Sequence, residues 1–327
     1  MNIPSTMKAA CRERYGPADV LSIQDVAVPT PSRGEILVRV KAATVNRTDA
    51  AILHGKPWVM RLFTGVFKPR HTTTGTDFAG QVVAVGEGVT RFVVGDRVMG
   101  FDDTGLQSHA QFLAIAASKP ITTTPASLDD AQAAACCEGV HYAVNFLNKV
   151  ELRAGQQVLI NGASGAIGSA LVQLCRARDV EATAVCTAQT MDRVRALGAH
   201  HVLDHAREDF TAGTGRYHFV FDAVGKSTFS RCRPVLRPKG VYISSELGPG
   251  MQNPPLALVT PLLLGKKVVF PVPLDVPASL AVVKQLAERG QFTPLLDRSY
   301  PLSQISQAYQ YVESGQKVGN VTLSMEG

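Results

Sequence analysis

The chain is short of the features that would take it out of ordinary globular chemistry. Its six cysteines, Cys11, Cys136, Cys137, Cys175, Cys186 and Cys232, form no CxxC pair and no closely spaced framework, which excludes a disulfide-stapled secreted scaffold. The first residues lack the apolar run of a signal peptide, so a reduced, cytoplasmic protein is expected. The most apolar tract outside the expected core strands, "LALVTPLLLG" at 256–265, is interrupted by Pro261 and falls well short of the ~20 residues a membrane-spanning helix needs. Like charges do not run beyond Lys266-Lys267, and no basic stripe interleaves with aromatics. The net charge of +6 therefore signals mild attraction for anionic ligands and no nucleic-acid partner.

What remains is a chain of 327 residues, 45% apolar and 18% charged, long enough for two cores. From Lys8 to about Ala117, "EILVRVKAATV", "DFAGQVVAVGEGV", "DRVMGF" and "SHAQFLAIA" read as strands between Gly and Pro punctuation. No long amphipathic helix interrupts them. After Ser127, where Asp129 and Asp130 suit a helix start, the texture changes. "QVLING", "EATAVC", "HHVLDH", "HFVFDAVG", "GVYISSEL" and "KKVVFPVP" are short, continuously apolar strands with helices between most of them. That pattern demands a parallel sheet covered on both faces, a doubly wound α/β domain. The last residues end on a β segment, "VGNVTLSM", expected to return to the first domain. The expected domains are 1–129 with 273–327, and 130–272.

The stretch "NGASGAIG" carries the chemistry of the second domain. Gly162, Gly165 and Gly168 follow a strand and open a helix expected over Ala166–Arg178. One explanation is close helix-to-strand packing; the other is a dinucleotide whose pyrophosphate accepts from the N–H groups of Ala166 and Ile167 at the positive end of the helix dipole. An acid at the end of the second strand would bond the ribose 2′-hydroxyl of NAD. Here that strand ends Cys186-Thr187-Ala188-Gln189, and Glu181 sits at its other end, ~17 Å away along six residues. A 2′-phosphate is not repelled, so NADP(H) is expected, with Thr187 and Arg193 in reach; Arg193 and Arg195 could equally be a solvated helix face.

The order of these segments resembles the medium-chain dehydrogenase/reductase superfamily, and within it the zinc-free quinone oxidoreductase, zeta-crystallin-like branch. "MKAACRERYGPADVL", "VNRTDAAILHG", "GTDFAGQVVAVGEGVTRFVVGDRVMGF", "ASGAIGSALVQLCRA", "LGAHHVLDH" and "FVFDAVG" match in order over nearly the whole chain. The resemblance implies a GroES-like β-rich catalytic domain, a Rossmann domain for NADPH and a cleft between them. Zinc-dependent relatives have a cysteine where this chain has Asn46, and GHE where it has Gly75-Thr76-Asp77. They also carry four closely spaced cysteines that 98–116 lacks. No metal is expected, and Cys136 and Cys137 are read as helix packing. Losing a Lewis acid disfavours alcohol dehydrogenation and leaves reduction of an electron-poor acceptor, a quinone or an enone, as a problem of positioning. Reduction of enone or enal double bonds, and a non-catalytic NADPH-binding sensor, are the competing readings.

The resemblance places Asn46 beside the nicotinamide ribose, its amide free to donate to an acceptor oxygen, and Tyr142 near the substrate as a candidate proton donor. It places Lys317 and Asn320 on a polar stretch reaching toward the nicotinamide, and His205 at the adenosine end. Strand ends at Val224 and Gly225, Ser244 and Ser245, and Phe270 and Val272 should border the cofactor, as should Ser164 in the glycine loop. Asp49 is read as a partner within its turn, and His54 and His109 have no evident partner. The segment 55–75, with Trp58, Phe63 and Phe67, is either an apolar lip or a satellite core, and 248–265 either walls a pocket or forms the interface of a homodimer.

Overall fold

Glu35–Val45 is an eleven-residue run rich in apolar residues, long enough to pair with strands on both sides. In a computed structural model of the chain it is the hub of a seven-stranded sheet. The structure describes residues 3–263 and 265–325, so Leu264 of the apolar tract and the outer bounds 1 and 327 of the expected domains lie outside the described residues.

In chain order the elements begin with β1 (Thr6–Cys11), β2 (Ser22–Ala27), β3 (Glu35–Val45), α1 (Arg47–His54), α2 (Met60–Thr64), β4 (Asp77–Val85), β5 (Arg97–Phe101), β6 (Phe112–Ala116), β7 (Ile121–Thr123) and α3 (Asp130–Ala135). There follow α4 (Glu138–Leu147), β8 (Gln157–Asn161), α5 (Ala166–Arg176), β9 (Glu181–Cys186), α6 (Met191–Ala196), β10 (His201–Asp204), β11 (Tyr217–Asp222), α7 (Phe229–Cys232), β12 (Leu236–Ser244), α8 (Asn253–Val259) and β13 (Lys267–Val269). The chain closes with α9 (Val276–Glu288), β14 (Leu296–Pro301), α10 (Ile305–Glu313) and β15 (Asn320–Ser324).

The chain divides into two compact units, Met1–Glu138 with Val276–Gly327, and Gly139–Asp275. In the first, the sheet runs β14-β15-β3-β4-β5-β7, and β6 pairs with β3. Antiparallel β4 crosses β3 where a side chain on Gly80 would come within 2.2 Å of the Arg39 carbonyl, so only glycine fits there. Phe78, Ile36, Val82 and Tyr309 are buried in the core beneath.

The expected boundary at 129/130 is corrected by nine residues. Helix α3 packs through Ala133, Ala134 and Ala135 on β3, β4 and β15, because small side chains let a short helix lie close to a sheet. Its cap is Asp129, which accepts from Gln132 N at 2.7 Å, while Ser127 instead donates to the Ala287 carbonyl at 3.0 Å. The second boundary moves from 272/273 to 275/276. The β-rich region also holds a helix that the alternating texture hid: "RTDAAILH" is α1.

The second unit is a parallel sheet in the order β10-β9-β8-β11-β12-β13. Val158, Leu159, Ile160, Val220 and Phe221 are fully buried, as strands covered on both faces must be. With strands numbered by succession this is 3-2-1-4-5-6, the dinucleotide-binding order, and its direction switches between β8 and β11. Helix α5 stops at Arg176, two residues before its expected end.

Candidate functional site

The three glycines of the loop after β8 do different work. Gly162 has φ +80°, and a side chain on it would meet Val224 Cβ at 2.7 Å. A side chain on Gly168 would meet the Gly162 carbonyl at 2.2 Å, so this glycine sets how closely α5 approaches β8. Gly165 is the extended N-cap of α5, and no side chain caps the helix. Packing therefore explains two glycines. The third opens an eleven-residue helix whose first N–H groups, at Ala166 and Ile167, have no partner within the helix. Ser164 is half-buried at the same turn, and Gly139 of α4 sits so close to Ala166 that a side chain would approach within 3.0 Å.

Across the switch point, the carboxyl end of β11 is organised by Asp222, which the sequence reading missed although an acid closing an apolar strand was its signal. Asp222 is fully buried and gathers donors on both oxygens. Oδ1 accepts from Asn161 Nδ2 and Gly225 N, both at 3.0 Å, and from Val224 N at 3.4 Å; Oδ2 accepts from Ser227 N at 3.1 Å and the Tyr242 hydroxyl at 2.9 Å. Val224 and Gly225 are thus held as a turn at the sheet edge, and Gly225 takes φ +67°. Ser244 is buried at the end of β12, and Ser245 N donates to the Asp222 carbonyl at 3.4 Å. Strand β13 is only three residues long, so Phe270 and Val272 lie past its end, Val272 well exposed.

At the end of β9, Cys186 is buried and the Thr187 hydroxyl pairs with that of Thr190 at 3.1 Å. Glu181 stands at the opposite end, accepting from Gln157 at 3.0 Å. Arg193 is exposed on α6, and Arg195 is paired with Asp192 at 2.6 Å. One acid nonetheless comes to this edge from elsewhere: Asp204 ends β10 in register with Cys186. Its Oδ1 accepts from Ala206 N at 3.0 Å, and its other oxygen lies 3.8 Å from Arg207. His205 follows it, exposed.

In the first unit, Asn46 is committed to its own fold. Its carboxamide oxygen accepts from Asp49 N at 2.8 Å while Asp49 Oδ2 accepts from Asn46 N at 3.1 Å, a reciprocal capping box at the start of α1. Its Nδ2 donates to Thr76 Oγ1 at 3.1 Å, with Thr44 Oγ1 at 3.5 Å. Both the oxygen and the nitrogen of the Asn46 carboxamide thus have partners within the fold. Asp77 accepts from Thr44 N at 2.7 Å and Thr44 Oγ1 at 2.5 Å, and burial pushes it up to about 7. Asp49 is raised well above the carboxylate range, first by burial and then by the fields of Asp77 and Glu138. Glu138, raised by burial, accepts from Thr48 at 2.6 Å.

Both histidines that sequence left unpartnered have partners. His109 is buried between Thr74 Oγ1 and the Thr44 carbonyl, each at 2.9 Å, and burial lowers it to about 4. His54 meets Glu313 at 2.7 Å. Lys317 donates to the Gly319 carbonyl at 2.8 Å, and buried Asn320 donates to the Leu295 carbonyl at 3.1 Å. In the second unit Tyr142 is half-buried on α4, its ring edge-on to His141 at 5.7 Å, while Phe146 is core. Trp58, Phe63 and Phe67 are exposed by 61%, 60% and 95%, so 55–75 is not a satellite core. Leu258, Leu262 and Leu263 are likewise exposed in 248–265.

Asn46 thus bonds Thr76 and Asp49, and Asp77 bonds Thr44; the amide of Asn46 and the hydroxyl of Thr76 are not among the thiolate, imidazole and carboxylate ligands of zinc. Among the described residues no three of His, Cys, Asp and Glu come together in a group able to hold a metal ion. Cys136 and Cys137 are buried, and burial pushes both thiols up.

A parallel sheet in this order, with an uncapped glycine-led helix at its switch point, defines a dinucleotide-binding α/β protein. Residues 32–127 match the alcohol dehydrogenase GroES-like domain, and 197–323 match a zinc-binding dehydrogenase family. The chain is 30% identical to a quinone oxidoreductase of Lama guanicoe over 98% of both chains. It is 29% identical to an NADPH-dependent alkenal/one oxidoreductase, chloroplastic, of Arabidopsis thaliana, over 98% of this chain and 80% of that one. A solved quinone oxidoreductase from Coxiella burnetii shares the fold, with a TM-score of 0.86 at 23% identity over 98% of this chain and all of that one. The chain belongs to the medium-chain dehydrogenase/reductase superfamily, in its zinc-free quinone oxidoreductase branch.

Proposed function

We propose that the protein is an NADPH-dependent, zinc-independent oxidoreductase that passes hydride to quinones or related conjugated carbonyl compounds. The observation that carries this reading is that Asn46 bonds Thr76 and Asp49 while Asp77 bonds Thr44, at positions where zinc relatives hold their metal. Without an ion to stabilise an alkoxide, a simple alcohol is a poor substrate, whereas a quinone spreads its reduced charge over a conjugated ring. The cofactor, when bound, supplies the hydride. The protein's part is to receive the pyrophosphate at the N-terminus of α5, to border the cofactor with the turn held by Asp222, and to hold its acceptor in place.

NADPH is favoured over NADH because Thr187 leaves no carboxylate at the end of β9, while the Asp204 side chain is turned onto Ala206 and Arg207. Thr187→Asp should shift the preference toward NADH, and equal binding of both cofactors by the parent would remove this argument. Six free, buried cysteines support a reducing compartment, which we take to be the cytoplasm. Among the described residues no helix is long and apolar enough to cross a membrane.

Reduction of the carbon–carbon double bond of enones or enals is the second reading, favoured by the likeness to the Arabidopsis alkenal/one enzyme. NADPH oxidation with a panel of quinones, enones, aldehydes and alcohols, before and after exhaustive chelation, tests both. Chelator-resistant turnover of a conjugated acceptor is expected. Chelator-sensitive oxidation of a simple alcohol would overturn the proposal, and tight NADPH binding without turnover of any acceptor would leave a sensor.

A further inference from the structure

Of the five buried polar atoms of the first unit without a hydrogen-bond partner among the described residues, three belong together: Arg12 Nε, Asp49 Oδ1 and the Tyr309 hydroxyl. They come from the end of β1, from α1 and from α10, and all three residues line one cavity. Their side chains are 3%, 1% and 0% exposed, so bulk water does not satisfy them. Each lies in the field of the other two. Leaving a buried donor or acceptor unmade is destabilising, and three such atoms around one space call for an occupant.

The cavity has a volume of about 20 Å³. One water needs roughly 10–15 Å³ and two to four polar partners, and a larger molecule does not fit. The donor pattern also matches: the guanidinium N–H can donate to a water oxygen, the carboxyl oxygen can accept from it, and the hydroxyl can do either. At the rim stand His71 and Thr104, both exposed, which give a path for exchange with solvent. The other contacts of these residues are already assigned, since Asp49 Oδ2 takes Asn46 N and Arg12 Nη1 donates to the Ile52 carbonyl at 2.6 Å.

We propose that this cavity is a hydration site in which one bound water bridges Arg12 Nε, Asp49 Oδ1 and Tyr309 Oη. The water ties β1 and α10 to the first turn of α1, and completes the bonding of the residue that caps the helix Asn46 begins. Hydration of this kind is part of the fold, and its loss should be felt as a loss of stability.

Tyr309→Phe separates a wet from a dry cavity by sign. With the water in place the substitution removes one of its hydrogen bonds, and the unfolding midpoint should fall by about 2–4 °C. In a dry cavity the same change deletes an unpaired buried hydroxyl, and the midpoint should stay or rise. A crystal structure of the full chain should show a water within hydrogen-bonding distance, ~2.6–3.2 Å, of all three atoms. An unchanged or raised midpoint, or density that is empty or refines as an ion, would overturn the proposal.

Discussion

Asp222→Asn tests the turn that borders the dinucleotide site, because the new amide must place an NH2 group where donors already point. If the nitrogen takes the Oδ1 position it faces Asn161 Nδ2 and Gly225 N. If it takes the Oδ2 position, the Tyr242 hydroxyl can rotate to accept, but Ser227 N, 3.1 Å away, is left facing an N–H. The second arrangement is the cheaper. It loses one bond to a charged acceptor, leaves one buried donor unmade and weakens the rest, a total of about 2–4 kcal/mol. For a unit of this size that lowers the unfolding midpoint by about 6–12 °C. Tyr242→Phe removes a single donor and should cost about 1–2 kcal/mol. Because the two residues share a bond, the double variant should cost about 1 kcal/mol less than the sum. Thermal unfolding followed by circular dichroism gives the midpoints, and calorimetric titration with NADPH gives the binding, which should weaken by about tenfold as Val224 and Gly225 lose their anchor. A midpoint for Asp222→Asn within about 2 °C of the parent would refute the reasoning, since five converging donors cannot tolerate that change so cheaply.

The buried polar cluster of the first unit sets opposing pH dependences. His109, lowered to about 4 from 6.5, contributes stability present above pH 6.5 and lost as pH falls toward 4. Asp77, raised to about 7 from 3.8, contributes stability present below 3.8 and lost as pH rises through 7, and Asp49 and Glu138 are shifted in the same direction. Asp77→Asn should therefore make stability rise with pH more steeply than in the parent between pH 4 and 7, by roughly 2–4 kcal/mol across that window, as read from urea unfolding curves; parallel profiles would count against it. Gly168→Ala places a methyl group 2.2 Å from the Gly162 carbonyl, and should lift α5 off β8 and weaken NADPH binding at least about tenfold in the same titration. Asn46→Ala removes the cap of α1 and should cost about 0.5–2 kcal/mol of unfolding free energy whether or not activity changes.

Periodicity and glycine spacing were local signals, and they held where the structure is local. The continuous apolar strands of 157–269 specified a two-faced parallel sheet, because a strand covered on both faces has no position left for polar residues. "NGASGAIG" specified the turn and the helix start, because the backbone of Gly162 and the crowding at Gly168 admit no side chain. The end of β9 was equally legible, since the absence of an acid there is a statement about one short stretch.

Tertiary structure decided what depends on partners far apart in the chain. Alternation over 8–117 could not show that "RTDAAILH" is a helix, whose cap needs Asn46 and Asp49 facing each other and Thr76 from thirty residues on. Texture placed α3 in the wrong domain, because three alanines suit either neighbour and only the sheet they pack on distinguishes them. Asp204 reaches the β9 edge only through parallel register, His109 is partnered by Thr44 sixty-five residues away, and Asp222 collects donors from Asn161 to Tyr242. A side chain's hydrogen-bond partners are fixed by the packing of whole elements, and that geometry is absent from the spacing of residues along the chain.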